Sequence, residues 1–293
     1  MPTIFPGRVP IEGDFCLSYT LYTPRSTQRG QTPLTLVVFV NGLRTLAADW
    51  DGIATELHSN HSLYLLTFDR WNSGESDELP STRSTNDMTT AAEDLSLLLA
   101  GVASEHKIDL NETRLILVGS SIGCCIARIF VTSFHKPALG SIHGIILLDS
   151  YISNTDFVSL FPPPKAGEPS ELKKTREIIT KLFHPSVPNP EGLDRSNAPT
   201  LLPYADKPKL PGSPDLIVVA HDPEYNVEEM VEKLGIDKDY YLEYVQSAWD
   251  EYNKGLEMLS NSSRFLIAEN SAHFIYKDRP DLVVHEIDKI TRR

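Results

Sequence analysis

Residues 119–123 read Gly-Ser-Ser-Ile-Gly, a serine held between two glycines. The apolar run RLILV (114–118) leads into it, and a helix-compatible segment over about 122–134 leads out. Gly-x-Ser-x-Gly at such a junction makes a turn so sharp that its central residue sits in strained backbone. The flanking positions must be small because strand and helix close on each other there, and Gly119 and Gly123 meet that need. Ser121 is then presented above the sheet edge at the positive end of the next helix, which favours negative charge developing at a carbonyl oxygen. An activated serine also needs a base. Of the nine histidines, His273 follows the run RFLIA (264–268) through the loop ENSAH and precedes the last helix. That is a carboxyl end of the same sheet, where parallel α/β folds build their sites. The order serine then histidine, with the histidine after the final strand, makes His273 the candidate base.

The elements that must position these two side chains alternate. LTLVVFV (34–40), LYLLTF (63–68), RLILV (114–118), GIILLD (144–149), DLIVVA (215–220) and RFLIA (264–268) read as buried strands. ADWDGIATELH (48–58), MTTAAEDLSLLLAGVAS (88–104), the segment after Ser121 and RPDLVVHEIDKIT (279–291) read as helices between or after them. Strands alternating with helices predict an α/β fold: a mostly parallel sheet with helices on both faces. Residues 150–213 break the rhythm, with many prolines and one short helix, SELKKTREIITKLF (170–183). The pattern resumes afterwards. The expected organisation is therefore a core of residues 1–149 and 214–293, with 150–213 inserted as a cap over the carboxyl ends of the strands.

Composition narrows the partners. The chain of 293 residues has 40 acidic and 27 basic side chains, a formal net charge of −13. That field disfavours nucleic acid and anionic lipid, and no dense basic patch reverses it. Three cysteines, Cys16, Cys124 and Cys125, do not make a disulfide framework, and no C-x-x-C pair suggests zinc. No apolar run reaches the length of a membrane span. The opening residues lack a basic segment followed by an apolar one, so the expected location is the cytoplasm.

Taken together, these segments resemble the serine hydrolases of the α/β-hydrolase superfamily, of esterase or thioesterase type. VFVNGL stands where the family usually has His-Gly after its third strand. FDRWNSGESD is similar to its Asp-Arg-x-Gly-x-Gly-x-Ser loop, LVGSSIG to its nucleophile elbow, and ENSAHFIYKDRPDLVVHEI to its terminal Ser-Gly-His segment. HGIILLDS adds a fifth match. The chain departs from the pattern at Asn41 and Ser120, where histidines are usual, and at Cys124 and Cys125, where small glycines are common. None of these is a triad position.

The resemblance implies a mechanism. Ser121 attacks an acyl carbonyl and His273 takes the proton and returns it to the leaving group. Two backbone N–H groups hold the oxyanion, those of Ile122 and Leu43. No metal or organic cofactor is required, and the partner is a small-molecule acyl substrate. Epoxide hydrolases and haloalkane dehalogenases of this fold, which use aspartate at the elbow, are excluded by Ser121. The triad acid has two places in the superfamily. One follows GIILLD and gives Asp149; the other follows DLIVVA and gives Asp222 or Glu224. Asp149 fits its place without adjustment and is preferred, with Asp222 as the alternate. Asp69, Gly74 and Ser76 read as structural, while Trp71 and Phe274 are candidate substrate contacts. The favoured function is hydrolysis of a carboxylic ester or thioester of a small to medium, partly apolar substrate. The alternatives are a lyase, cyclase or isomerase that keeps the triad but excludes water, and a ligand-binding homologue with little turnover.

Overall fold

Eight strands form one sheet among the residues described by the computed structural model, 3–24 and 33–293. In chain order they are β1 (Thr3–Glu12), β2 (Phe15–Thr23), β3 (Leu34–Val40), β4 (Tyr64–Phe68), β5 (Thr113–Ser120), β6 (Ser141–Leu148), β7 (Asp215–His221) and β8 (Ser263–Ala268). Their spatial order is β1-β2-β4-β3-β5-β6-β7-β8. The β1–β2 and β2–β4 pairs are antiparallel, and every pair from β4 through β8 is parallel.

The parallel strands are apolar on both sides because both sides are covered. Leu36, Val38, Leu115 and Leu117 enter one apolar cluster, whereas Val37, Phe39, Ile116 and Val118 enter the other. The helices are α1 (Asp51–Asn60), α2 (Met88–His106), α3 (Ile122–Ile129), α4 (Ser170–Phe183) and α5 (Ala198–Leu201), followed by α6 (Pro223–Leu234), α7 (Lys238–Tyr241), α8 (Ser247–Leu256), α9 (Ile275–Asp278) and α10 (Pro280–Thr291). Helices α2 and α3 share the first cluster, and α1 and α10 share the second.

The six strands and the main helices expected from the apolar pattern are present, with β3 and the helix over 170–183 matching at both ends and the others differing by one to a few residues. Two groups of elements were not anticipated. The first is the hairpin β1–β2. Pro6 and Pro10 sit in β1, and proline is confined to edge strands because it cannot donate to a ladder; β1 is the edge of this sheet. The second is the helical run α6–α8 between β7 and β8.

Between β6 and β7, residues 150–213 hold α4 and α5, and among the described residues no strand. This segment is packed, not loose: Tyr151, Ile152, Phe157, Phe161, Leu172 and Ile179 join the larger cluster.

Candidate active site

Strand β5 ends at Ser120 and α3 begins at Ile122, leaving Ser121 alone at the junction with φ 54° and ψ −122°. Positive φ is a strained conformation for a serine. It is imposed by crowding. A Cβ on Gly119 would lie 2.8 Å from Cys124 N, and one on Gly123 would lie 2.1 Å from the Val40 carbonyl oxygen. The Ser121 N–H donates to the Leu148 carbonyl at 3.0 Å, tying the elbow to β6. Cys124 and Cys125 follow on the buried side of α3. Burial pushes both thiols up, so they stay neutral and act as small apolar side chains.

Asp149 immediately follows β6, itself at positive φ (44°) and fully buried. His273 Nδ1–H donates to Asp149 Oδ2 at 2.6 Å. The other oxygen is occupied by two side chains. His221 Nδ1–H donates to Oδ1 at 2.8 Å, and Asn253 Nδ2–H at 3.0 Å. Burial pushes the Asp149 carboxyl up, but the two histidines beside it more than offset that and hold it at about 2. His221 is also fully buried. Burial pushes it down, Asp149 opposes that, and the net direction is up. Its Nε2 lies 2.5 Å from Gln246 Nε2, whose amide also donates to Asp250 at 2.7 Å. In the neutral imidazole, that contact makes His221 Nε2 the acceptor and Nδ1 the protonated nitrogen. The Trp249 ring lies against both histidines, 4.9 Å from His221 and 5.2 Å from His273.

The two other carboxylates considered for this position lie elsewhere. Asp222 caps α6, accepting from Glu224 N and Tyr225 N, and its second oxygen accepts from Asn270 N. Glu224 is exposed on the first turn of α6. Trp71, the other candidate substrate contact, lies under α2. It is 2% exposed in the core, its Nε1–H donates to Asp94 of α2 at 2.8 Å, and Arg83 lies over its ring. Trp71 is not among the residues that line the cavity beside Ser121. Phe274 does line the cavity, with its ring 5.2 Å from that of His273.

The loop after β3 is held by a buried cluster. Arg70 Nη1 donates to the Asn41 carbonyl and Nη2 to the Gly42 carbonyl, each at 2.7 Å. In a trans peptide the N–H points opposite the C=O, so anchoring the Gly42 carbonyl on Arg70 directs the Leu43 N–H the other way. Glu191, from the segment between β6 and β7, pairs with Arg70 at 2.7 Å and is 2% exposed. Its other oxygen accepts the Arg44 N–H at 2.6 Å. Asn41 braces the loop from behind, donating to the Phe68 carbonyl and accepting from Trp50 Nε1, both at 2.8 Å. Ser120, the other departure, has a buried hydroxyl without a partner. Asp69 accepts from Ala47 N, Ser18 Oγ and Glu75 N, and a Cβ on Gly74 would collide with that carboxylate.

Ser121, Ile122, Leu43, His273 and Phe274 line one cavity of about 190 Å³, closed by Tyr151, Phe157, Phe183 and Trp249. The Ser121 hydroxyl makes no hydrogen bond among the described residues. The expected serine, histidine and Asp149 are thus brought to one place, and the Asp149–His273 contact is direct.

A sequence model of the alpha/beta hydrolase family matches residues 37–286. The chain belongs to the α/β hydrolase family. No match was found among curated proteins. Solved structures similar to this α/β hydrolase include a thermophilic esterase from Thermogutta terrifontis, at 15% identity and TM-score 0.56 over 98% of each chain. The peroxisomal α/β hydrolase Lpx1 of Saccharomyces cerevisiae aligns at 14% identity and TM-score 0.58, over 100% of this chain and 88% of its own. MenH from S. aureus aligns at 14% identity and TM-score 0.56, over 94% and 97%. At such identities the likeness speaks to the fold. No helix among the described residues is long and apolar enough to cross a membrane.

His221, Asn253, Gln246, Trp249 and Glu191 were not anticipated. The available signal was positional: His221 ends an apolar strand, where a polar side chain reaches the carboxyl edge of the sheet.

Proposed function

We propose that this α/β hydrolase cleaves a carboxylic ester or thioester through an acyl-enzyme on Ser121. The observation that carries the reading is the 2.6 Å contact from His273 Nδ1–H to Asp149, with Ser121 strained at an elbow in the wall of the same cavity. A histidine whose Nδ1–H is fixed by a carboxylate presents Nε2 as an acceptor, the tautomer a general base needs. His273 removes the Ser121 proton as Oγ attacks the acyl carbon, and returns it to the departing alcohol or thiol. Water then enters by the reverse sequence. The N–H groups of Leu43 and Ile122 receive the oxyanion. The Ser121–His273 hydrogen bond forms as substrate fills the cavity, since such bonds tighten on binding. Residues 150–213 act as a cap: Tyr151, Phe157 and Phe183 come from this segment and give the cavity an apolar wall. That supports a small to medium, partly apolar acyl substrate. The protein acts in the cytoplasm, with no nucleic-acid partner.

A fluorophosphonate probe tests the reading. Stoichiometric labelling located on Ser121 by mass spectrometry is expected, and it should disappear in Ser121→Ala. Incorporation of labelled water into the acid product then assigns hydrolysis over rearrangement. Absence of labelling, with no turnover on a panel of esters and thioesters of graded length, would exclude it.

A further inference from the structure

The cavity beside Ser121 is lined by two guanidinium groups, Arg44 and Arg195, and by no carboxylate. In a chain with net charge −13, an acid-free wall with two cations is a local reversal of sign. Neither arginine forms an ion pair among the described residues. Arg44 is exposed at the rim and its Nη2 meets only the Pro188 carbonyl, at 3.3 Å. Arg195 is 7% exposed. Its Nη2 reaches the carbonyls of His184, Pro185 and Val187, while its Nε is buried with no partner. The acids nearest along the chain are engaged elsewhere. Glu191 holds Arg70 and the Arg44 backbone, and Asp194 accepts the Ser196 N–H at 2.8 Å. A largely desolvated guanidinium with an idle donor is unfavourable unless an anion completes it.

We infer that the substrate carries, besides its ester or thioester, a carboxylate that Arg44 and Arg195 bind at the cap side of the cavity. This rests on the acyl-transfer reading above. Arg44 directly follows Leu43, so the anion would be read close to the scissile carbonyl. The guanidinium fork suits a planar carboxylate. The apolar wall of Phe157, Phe183 and Trp249 suits the chain joining the two groups. Burial lowers the proton affinity of Arg195, in keeping with a cation kept out of water and awaiting a counter-charge.

The test compares mono-para-nitrophenyl adipate with para-nitrophenyl hexanoate, which differ in the terminal carboxylate. Wild type should favour the adipate in kcat/KM by at least roughly tenfold at low ionic strength, and the preference should shrink with added salt. Arg44→Gln, at an exposed position, should lower the adipate-to-hexanoate ratio at least roughly fivefold. Arg195→Gln should lower it further, with circular dichroism checking the fold, because Arg195 also holds three carbonyls. A wild type that prefers hexanoate, or an unchanged ratio in folded Arg44→Gln, overturns the inference while leaving Ser121 chemistry standing. Free adipate titrated calorimetrically into Ser121→Ala separates the two claims. Binding that Arg44→Gln weakens supports the arginine pair even where neither ester turns over, a result that would count against acyl transfer alone. No binding and no preference overturns the arginine pair.

Discussion

The carboxylate of Glu191 accepts the backbone N–H of Arg44 at 2.6 Å. One residue from an inserted segment thereby fixes the peptide next to Leu43 in a loop of the sheet. The same carboxylate pairs with Arg70, and both of these side chains are buried. Removing one partner of a buried pair leaves the other charge uncompensated. Glu191→Ala is therefore expected to cost about 3 kcal/mol of stability, by denaturant unfolding, and Glu191→Gln less. A loss under about 0.5 kcal/mol in Glu191→Ala, the size of an ordinary surface change, would deny the cluster its anchoring role.

The assignment of the acid predicts a contrast between two isosteric changes. Asp149→Asn should lower turnover by roughly a thousandfold or more with the fold intact, because the base loses the carboxylate that fixes its tautomer. Asp222→Asn should leave turnover close to wild type, since asparagine caps a helix about as well as aspartate. Steady-state kinetics on the two variants decides it. A crippled Asp222→Asn beside a mild Asp149→Asn would move the acid to the end of β7.

The two histidines on Asp149 give the site a pH signature. The Asp149 carboxyl, held at about 2 against an ordinary 3.8, contributes stability that is fully present above 3.8. That contribution, about 2 kcal/mol, is lost as pH falls toward 2. His221 is shifted up from 6.5, so its contribution is present below 6.5 and lost as pH rises through its folded value. Unfolding measured across pH should show an acid-side loss that Asp149→Asn lacks and an alkaline-side loss that His221→Gln lacks. Parallel pH profiles for all three proteins would refute this account of the pair.

Much of this architecture is legible in the sequence. Short, β-branched apolar runs such as Leu34–Val40 read as strands covered on both faces, and the glycine spacing around Ser121 reports a backbone collision seen in the structure at Gly119 and Gly123. Other parts are not legible. Strand β1 carries prolines that argue against a strand, and only its edge position makes them tolerable. Trp71 follows Asp69 and Arg70 in a loop that reaches the site, yet its indole turns to Asp94, a contact between residues 23 positions apart. Glu191 reaches Arg44 across 147 positions and Asn253 reaches Asp149 across 104. Local pattern carries no trace of such pairings.

The segment between β6 and β7, proposed as a cap, should open more readily than the sheet. Helix α4 is an amphipathic helix on the surface, with several exposed positions, whereas β5 is almost wholly buried. Amide exchange in residues 170–183 should be faster than in 114–118 by at least roughly a hundredfold under native conditions. Equal protection in the two segments would make residues 150–213 part of one rigid core.

The most direct test of the central claim is the turnover of Ser121→Ala on the best acyl substrate found for wild type. The account predicts that kcat/KM falls by at least roughly a thousandfold, because the covalent route is gone and only binding and the oxyanion donors remain. A folded Ser121→Ala protein with near-normal turnover would contradict it.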